Sequence, residues 1–167
     1  DIAVDIEAGT VHALVGENGA GKSSLGKIIG GYYTPDEGGV RIFGRQVARF
    51  SPREALGLGV AMIHQELQLA PELNVVQNVF LGRESSRAGI LVGGDLERYR
   101  ALEKVCEFGI DPLVKVARLR IAERQKVEIM RAIARDAQII IMDEPTSSLT
   151  EDEADRLHEV IRRLKSQ

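Results

Sequence analysis

The stretch Gly16-Glu17-Asn18-Gly19-Ala20-Gly21-Lys22-Ser23 limits what this chain can fold into more than any other. It fits G-x-x-x-x-G-K-[ST], a loop whose backbone N–H groups converge on phosphate oxygens. Upstream, Val11-His12-Ala13-Leu14-Val15 predicts a buried strand, and Lys22 to Gly30 predicts the start of a helix. The glycines let the backbone turn tightly and aim successive N–H groups at one place. A helix N-terminus behind them adds partial positive charge. Lys22 can then reach β- and γ-phosphates, the Ser23 hydroxyl can ligate Mg²⁺, and Ser24 joins the binding set in the same turn. A Gly-rich turn that binds nothing is the bland alternative. The Lys-Ser ending and the strand-loop-helix setting decide against it.

Composition narrows the rest. A length of 167 residues predicts one domain with a real core. A formal charge of −3 leaves no basic footprint, so nucleic acid is not an expected partner. The single cysteine, Cys106, cannot form an intrachain disulfide and suits a reducing compartment; its helical setting predicts a buried, structural thiol. No signal peptide pattern and no apolar run of spanning length is seen, so a membrane role is expected only through a partner. Ile2, Val4 and Ile6 open the chain in mid-strand alternation without a start methionine, and Gln167 follows directly on a helix. The expectation is a fragment lacking both ends of its domain.

Along the chain, residues 1–6 alternate as a strand should, and Glu7-Ala8-Gly9-Thr10 reads as a turn. Thr34 to Gly39 forms a second turn before a short strand, Val40 to Phe43. Ser51-Pro52 opens a short helix through Leu56, with Ser as cap and Pro in the first position. Val60-Ala61-Met62-Ile63 reads as a buried strand ending at His64-Gln65-Glu66. From about residue 67 to 137 the periods become helical: Asn74 to Leu81, then a helix capped by Asp95 with Leu96, Tyr99, Leu102 and Cys106 on one face, then Ala122 to Arg135 with Val127, Met130, Ile133 and Ala134 inward. Ile139-Ile140-Ile141-Met142 is continuously apolar, as in a fully buried parallel strand. Thr150-Glu151-Asp152-Glu153 is a capping box for a last helix with Leu157, Val160, Ile161 and Leu164 inward. The fold class is α/β, with residues 1–66 and 138–167 as a core and about 67–137 as an inserted, mostly helical lobe.

Asp143 and Glu144 follow four apolar residues, at the strand end where parallel sheets place ligands. Asp143 can hold, usually through water, the Mg²⁺ that Ser23 contacts; Glu144 can polarise a water in line with a γ-phosphate. The alternative is a solvated acidic pair, which the upstream loop and the following Pro145-Thr146-Ser147-Ser148-Leu149 make the weaker reading. Gln65 also ends a buried strand, where a neutral amide can ligate Mg²⁺ or orient a water. By itself it would read as a surface glutamine, and its place between loop and helical lobe gives it weight. His64 has no evident partner, and His12 and His158 read as ordinary surface or strand residues.

Taken in order, Gly16 to Ser23, Gln65, Asp143-Glu144-Pro145-Thr146 and Ser148-Leu149-Thr150 resemble the Walker A, Q-loop, Walker B and D-loop of ABC-transporter ATPases. Ala13 to Ser23, His64-Gln65-Glu66-Leu67, Asn78 to Glu84 and Glu128-Ile129 are similar to the first domain of monosaccharide importers (ribose/galactose/xylose type) whose ATPase carries two ABC domains. The resemblance covers nearly the whole chain. It implies a P-loop NTPase core, ATP and Mg²⁺ as ligands, Glu144 and Gln65 as catalytic residues, and Ser23, Gln65 and Asp143 around the metal. The implied partners are a second ABC domain, transmembrane permease subunits and, indirectly, a periplasmic sugar-binding protein, with the chain peripheral on the cytoplasmic face of the inner membrane.

One region departs from the pattern. The family's signature, usually Leu-Ser-Gly-Gly-Gln, aligns with Leu119-Arg120-Ile121-Ala122-Glu123, followed by Arg124 and Gln125. In the family the signature serine and glycine contact a γ-phosphate held by the opposite domain. Arg120 therefore predicts two unequal composite sites. The implied activity is ATP hydrolysis driving sugar import. The competing reading is a module that binds ATP to dimerise, hydrolyses weakly and has no transport role; intact Glu144 argues against it for this domain's own site.

Overall fold

The computed structural model describes residues 2–17, 19–47, 50–64, 67–87, 90–145 and 149–165. Helix α1 (Lys22–Ile29) begins where predicted, directly behind the Gly-rich loop. Strands β1 (Val40–Ile42) and β2 (Arg45–Val47) form an antiparallel hairpin with Ile42 opposite Arg45. Its turn residues, Phe43 at φ 48° and Gly44 at φ 78°, both take the left-handed conformation that a tight two-residue hairpin turn needs. β1 lies where the apolar run from Val40 predicts a strand, whereas β2, whose Arg45-Gln46 start carries no apolar alternation, is not predicted. Helix α2 (Pro52–Gly57) has a full capping box: Glu54 N–H donates to Ser51 Oγ at 3.3 Å, and Ser51 N–H donates to Glu54 Oε2 at 2.7 Å. Strand β3 (Val60–Ile63) follows.

Helix α3 (Val75–Phe80) is capped by Asn74, boxed reciprocally with Gln77 at 2.9 and 3.0 Å. A short hairpin, β4 (Ser86–Arg87) with β5 (Ile90–Leu91), interrupts the stretch expected to be helical. Helix α4 (Asp95–Cys106) corrects one expectation, because Gly94 at φ 100° occupies the cap position and Asp95 is the first helical residue. The Asp95 carboxylate instead accepts from Ser85 N–H at 3.1 Å and Ser85 Oγ at 2.7 Å, and pairs with Arg98 at 2.8 Å, tying the hairpin to the helix. Cys106 is buried on α4, and burial pushes its thiol up to about 12, as expected of an inert core cysteine. Helix α5 (Ile121–Ala134), strand β6 (Ile139–Met142) and helix α6 (Glu151–Lys165) complete the order. The side-chain hydroxyl and N–H of Thr150 both donate to Glu153 at 3.2 Å, securing the start of α6.

β3 and β6 run parallel in register, Val60 opposite Ile139 and Ile63 opposite Met142. One face of the pair, with Val60, Ile139 and Ile141, joins a small core with Ile42, Ala55 and Ile29. Helix α1 lies close on this face because Gly26 has no side chain: a Cβ there would stand 3.2 Å from Ile141 Cγ2. The other face, with Ala61, Ile63, Ile140 and Met142, joins the main core built from α3, α4, α5 and α6. Helices therefore cover the parallel pair on both sides, as an α/β fold requires. The β6 side chains are half-buried rather than fully buried. Its only ladder partner among the described residues is β3.

Among the described residues two predicted strands are absent. Residues 2–6 and 11–15 carry no ladder, and Ile2, Ile6, Val11 and Val15 are 66%, 52%, 63% and 93% exposed. An apolar run becomes a strand only when a neighbour takes its N–H and C=O groups, and neither run has one among the described residues.

Asn78 is fully buried and holds the approach to α3. Its Oδ1 accepts from Ala70 N–H at 2.8 Å, and its amide donates to the carbonyls of Ala70, Asn74 and Leu73 at 3.0, 3.0 and 3.3 Å. Asn78→Ala would leave those groups without their partner, at about 3 kcal/mol. A thermal melt should show Tm lower by roughly 6–12 °C.

Candidate phosphate-binding site

The loop before α1 keeps the features that its sequence demands. Gly19 and Gly21 sit at φ 87° and 92°, and any other residue would be strained there. Gly21 is the cap position of α1, and among the described residues no side chain caps the helix, an arrangement in which its first N–H groups can serve a ligand. Lys22 curls back over the loop, its ammonium donating to the carbonyls of Gly16 at 2.7 Å and Glu17 at 2.9 Å. Ala20 N–H closes the turn on Glu17 O at 3.1 Å. Asn18 lies outside the described residues. Ser24 is exposed on the first turn of α1.

The second half of the site comes from the far end of the chain. Asp143 N–H donates to Ile63 O at 3.1 Å, continuing the β3–β6 ladder by one step and fixing the carboxylate at the C-terminal end of the pair. There the Ser23 hydroxyl donates to Asp143 Oδ1 at 2.9 Å across 120 residues of sequence. A hydroxyl and a carboxylate meeting beside a phosphate loop are the hard oxygen donors that Mg²⁺ takes, with phosphate and water completing its shell. Among the described residues no cluster of three or more acidic, His or Cys side chains offers a protein-only metal cage. Glu144 is exposed at φ 50°, a left-handed conformation that costs a non-glycine residue energy and turns the chain sharply off the strand.

Gln65 and Ser148 lie outside the described residues. His64, beside Gln65, stacks edge-on against Tyr32 with ring centroids 4.7 Å apart. Its Nε2 is buried with no hydrogen-bond partner among the described residues, and burial, which disfavours the charged ring, lowers its pKa. This is the partner that sequence reading did not find; the aromatic at position 32 was its only signal.

The signature region starts α5. Leu119 is buried, Arg120 is the cap residue, and Ile121 is 62% exposed in the first turn. Glu123 reaches back to accept from Arg120 N–H at 2.8 Å, which holds its carboxyl below the usual range. An arginine has no acceptor to return the bond, so half of a capping box is present. The Arg120 side chain is 80% exposed, 3.5 Å from Glu123. Ala122 is half-buried. Gln125 is buried and directed into its own chain, where its amide donates to Pro145 O beside Glu144. Lys126, next on the helix, pairs at 3.1 Å with Glu153. Leu149 packs half-buried against the main core and Thr150 is exposed.

A family model described as ABC transporter matches residues 1–147. A protein of Rhizobium meliloti named as a ribose/galactose/methyl galactoside import ATP-binding protein is 46% identical over 169 residues, covering 100% of this chain and 33% of that protein. An arabinose import ATP-binding protein of Ralstonia nicotianae is 46% identical over 168 residues, with the same coverages of 100% and 33%. The chain thus spans about a third of the length of the curated relatives it matches. A solved dimeric, post-hydrolysis ATP-binding cassette bound to ADP and Pi superposes with a TM-score of 0.81 at 27% identity, covering 97% of this chain and 72% of that one. A nucleotide-free ATP-binding cassette from an ABC transporter superposes with a TM-score of 0.84 at 23% identity, over 98% of this chain and 69% of that one.

Proposed function

The chain belongs to the ABC transporter family, and from that premise we propose that it is the ATP-binding and ATP-hydrolysing part of a subunit that drives sugar import. The observation that carries this reading is the Ser23–Asp143 contact, which joins the phosphate loop to the strand end where Glu144 stands. The N–H groups of residues 16–21 and of the first turn of α1, with Lys22, Ser23 and Ser24, hold the phosphates of ATP. Lys22 exchanges its two loop carbonyls for phosphate oxygens. Ser23, Asp143 and Gln65 would hold Mg²⁺, whose charge, when bound, neutralises that developing on the phosphates. Glu144 accepts a proton from a water as its oxygen attacks the γ-phosphorus, and the bond to the bridging β–γ oxygen breaks, giving ADP and phosphate. Gln65 orients that water.

In this reading residues 1–66 and 138–167 form the nucleotide-binding core and about 67–137 the lobe that passes motion to permease subunits. Leu119, Arg120, Ile121, Ala122 and Glu123 face the nucleotide of a second ABC domain, and Ser148, Leu149 and Thr150 line the same interface. Gln125 supports that face from within through Pro145. No described helix is long and apolar enough to cross a membrane, which fits a peripheral subunit on the cytoplasmic face working through membrane partners and a periplasmic sugar-binding protein. The names of the relatives support a sugar as cargo.

The test is hydrolysis by the full-length protein with its permease subunits in lipid vesicles. The expected result is Mg²⁺-dependent ATP turnover that rises when sugar-loaded binding protein is added. ATP-dependent dimerisation without turnover would favour a regulatory module instead.

A further inference from the structure

Glu144 stands in a conformation that it would not take unaided. At φ 50° it lies in the left-handed region, which strains any residue with a side chain. It also precedes Pro145, and a proline favours an extended residue before it. Such a conformation persists only where the surrounding structure fixes it from more than one side. One side is the sheet, where Asp143 N–H donates to Ile63 O at 3.1 Å. The other is helix α5, from which the Gln125 amide donates to Pro145 O. The strained residue is thus flanked by two anchors, one on β3 and one on α5.

An amide at position 125 is a costly filler. Gln125 is 7% exposed, and its Oε1 is buried without a hydrogen-bond partner among the described residues. A methionine would occupy a similar volume without burying an amide, but it could not hold a carbonyl. The helix beneath Gln125 is a firm base. Val127, Ile129 and Met130 are fully buried, and Lys126 pairs with Glu153 of α6 at 3.1 Å. The Pro145 ring fixes its own φ, so few free torsions separate the held carbonyl from Glu144.

We propose that Gln125 is a positioning residue for Glu144. Its amide, acting through Pro145 O, keeps the strained turn at Glu144 and with it the direction of the carboxylate. The proposal rests on the hydrolytic reading above, in which Glu144 takes the proton of the attacking water. It assigns Gln125 no contact with ATP. The phosphate loop is carried by other elements, so loss of Gln125 should lower turnover rather than affinity.

The test is Gln125→Met in the full-length protein, followed by ATP binding, single-turnover hydrolysis and a thermal melt. The expected result is an ATP Kd unchanged within about threefold and hydrolysis slower by roughly ten- to hundredfold, as a misplacement of about 1 Å can cause. Gln125→Glu keeps the length but turns an acceptor toward the carbonyl, and it should lose at least as much. Carried into Glu144→Gln, which lacks the proton acceptor, Gln125→Met should slow hydrolysis no further, because both changes remove one function. If the methionine variant does not fold, Gln125→Glu enters the cycle with the same expectation. A lower Tm with an unchanged rate, or losses that multiply with those of Glu144→Gln, would overturn the proposal and leave a purely structural glutamine. ATP affinity falling in step with the rate would overturn it too, since the whole site would then be disturbed. A wild-type protein without hydrolysis would overturn the hydrolytic reading as well; an active one whose Gln125 variants keep the full rate would overturn this inference alone.

Discussion

Glu144→Gln is expected to slow single-turnover hydrolysis at this site by about 10²-fold or more while ATP affinity stays within about threefold. The amide has nearly the same shape as the carboxylate but cannot take a proton from water. Glu144 already sits at φ 50° off the end of β6, and glutamine in its place inherits that conformation, so the backbone cost is common to both. The variant thus isolates the proton acceptor. In the proposed pairing with a second ABC domain, ATP would persist unhydrolysed and the pair should remain closed longer, which crosslinking across their interface would register. Hydrolysis at the wild-type rate would transfer the water-activating role to another group, with Gln65 the first to examine.

Lys22→Ala has the second large effect, this time on binding. The Lys22 ammonium donates to the carbonyls of Gly16 and Glu17, two exposed loop groups that water can serve as well. Losing it should leave the fold nearly intact. In the proposed ATP complex its charge-assisted contacts to phosphate would contribute about 1.5–3 kcal/mol each. Losing contacts to both β- and γ-phosphates weakens binding on the order of 10²-fold or more. Titration of ATP into the full-length variant, with a melt to verify folding, checks both halves. Unchanged affinity would remove the loop from the site.

How far these residues could be read from sequence depended on how local their determinants are. Helix α1, the cap of α2, helix α3 and the apolar strands β3 and β6 are written in neighbouring residues, and each was legible. The meeting of Ser23 and Asp143 followed from two such local patterns, a phosphate loop and a strand ending in a carboxylate. What escaped depends on distant partners or backbone geometry. Val11 to Val15 has a strand's composition, but only a neighbouring strand makes a ladder, and none pairs with it among the described residues. The β1–β2 turn at Phe43-Gly44 lacks the Asn-Gly or Asp-Gly pair that would have announced it. Asp95 looked like a cap because its residue type is right; its oxygens had gone to Ser85 and Arg98. Glu128 and Arg131 on α5 hold the N–H and C=O of Gln68 across 60 and 63 residues, a contact that leaves no short-range signature. Gln65, Asn18 and Ser148, although clear as motif positions, lie outside the described residues.

The central claim is that the Gly16–Ser23 loop and Asp143 make one site for the phosphates of Mg²⁺-bound ATP. Calorimetric titration of ATP and AMP into the full-length protein, with and without Mg²⁺, tests it most directly. AMP lacks the β- and γ-phosphates that Lys22 and the Ser23–Asp143 pair serve, so the account predicts AMP binding weaker by about 10²-fold or more. It also predicts a Mg²⁺-dependent gain for ATP that Asp143→Asn diminishes. AMP bound as tightly as ATP, or ATP affinity indifferent to both Mg²⁺ and Asp143, would contradict it.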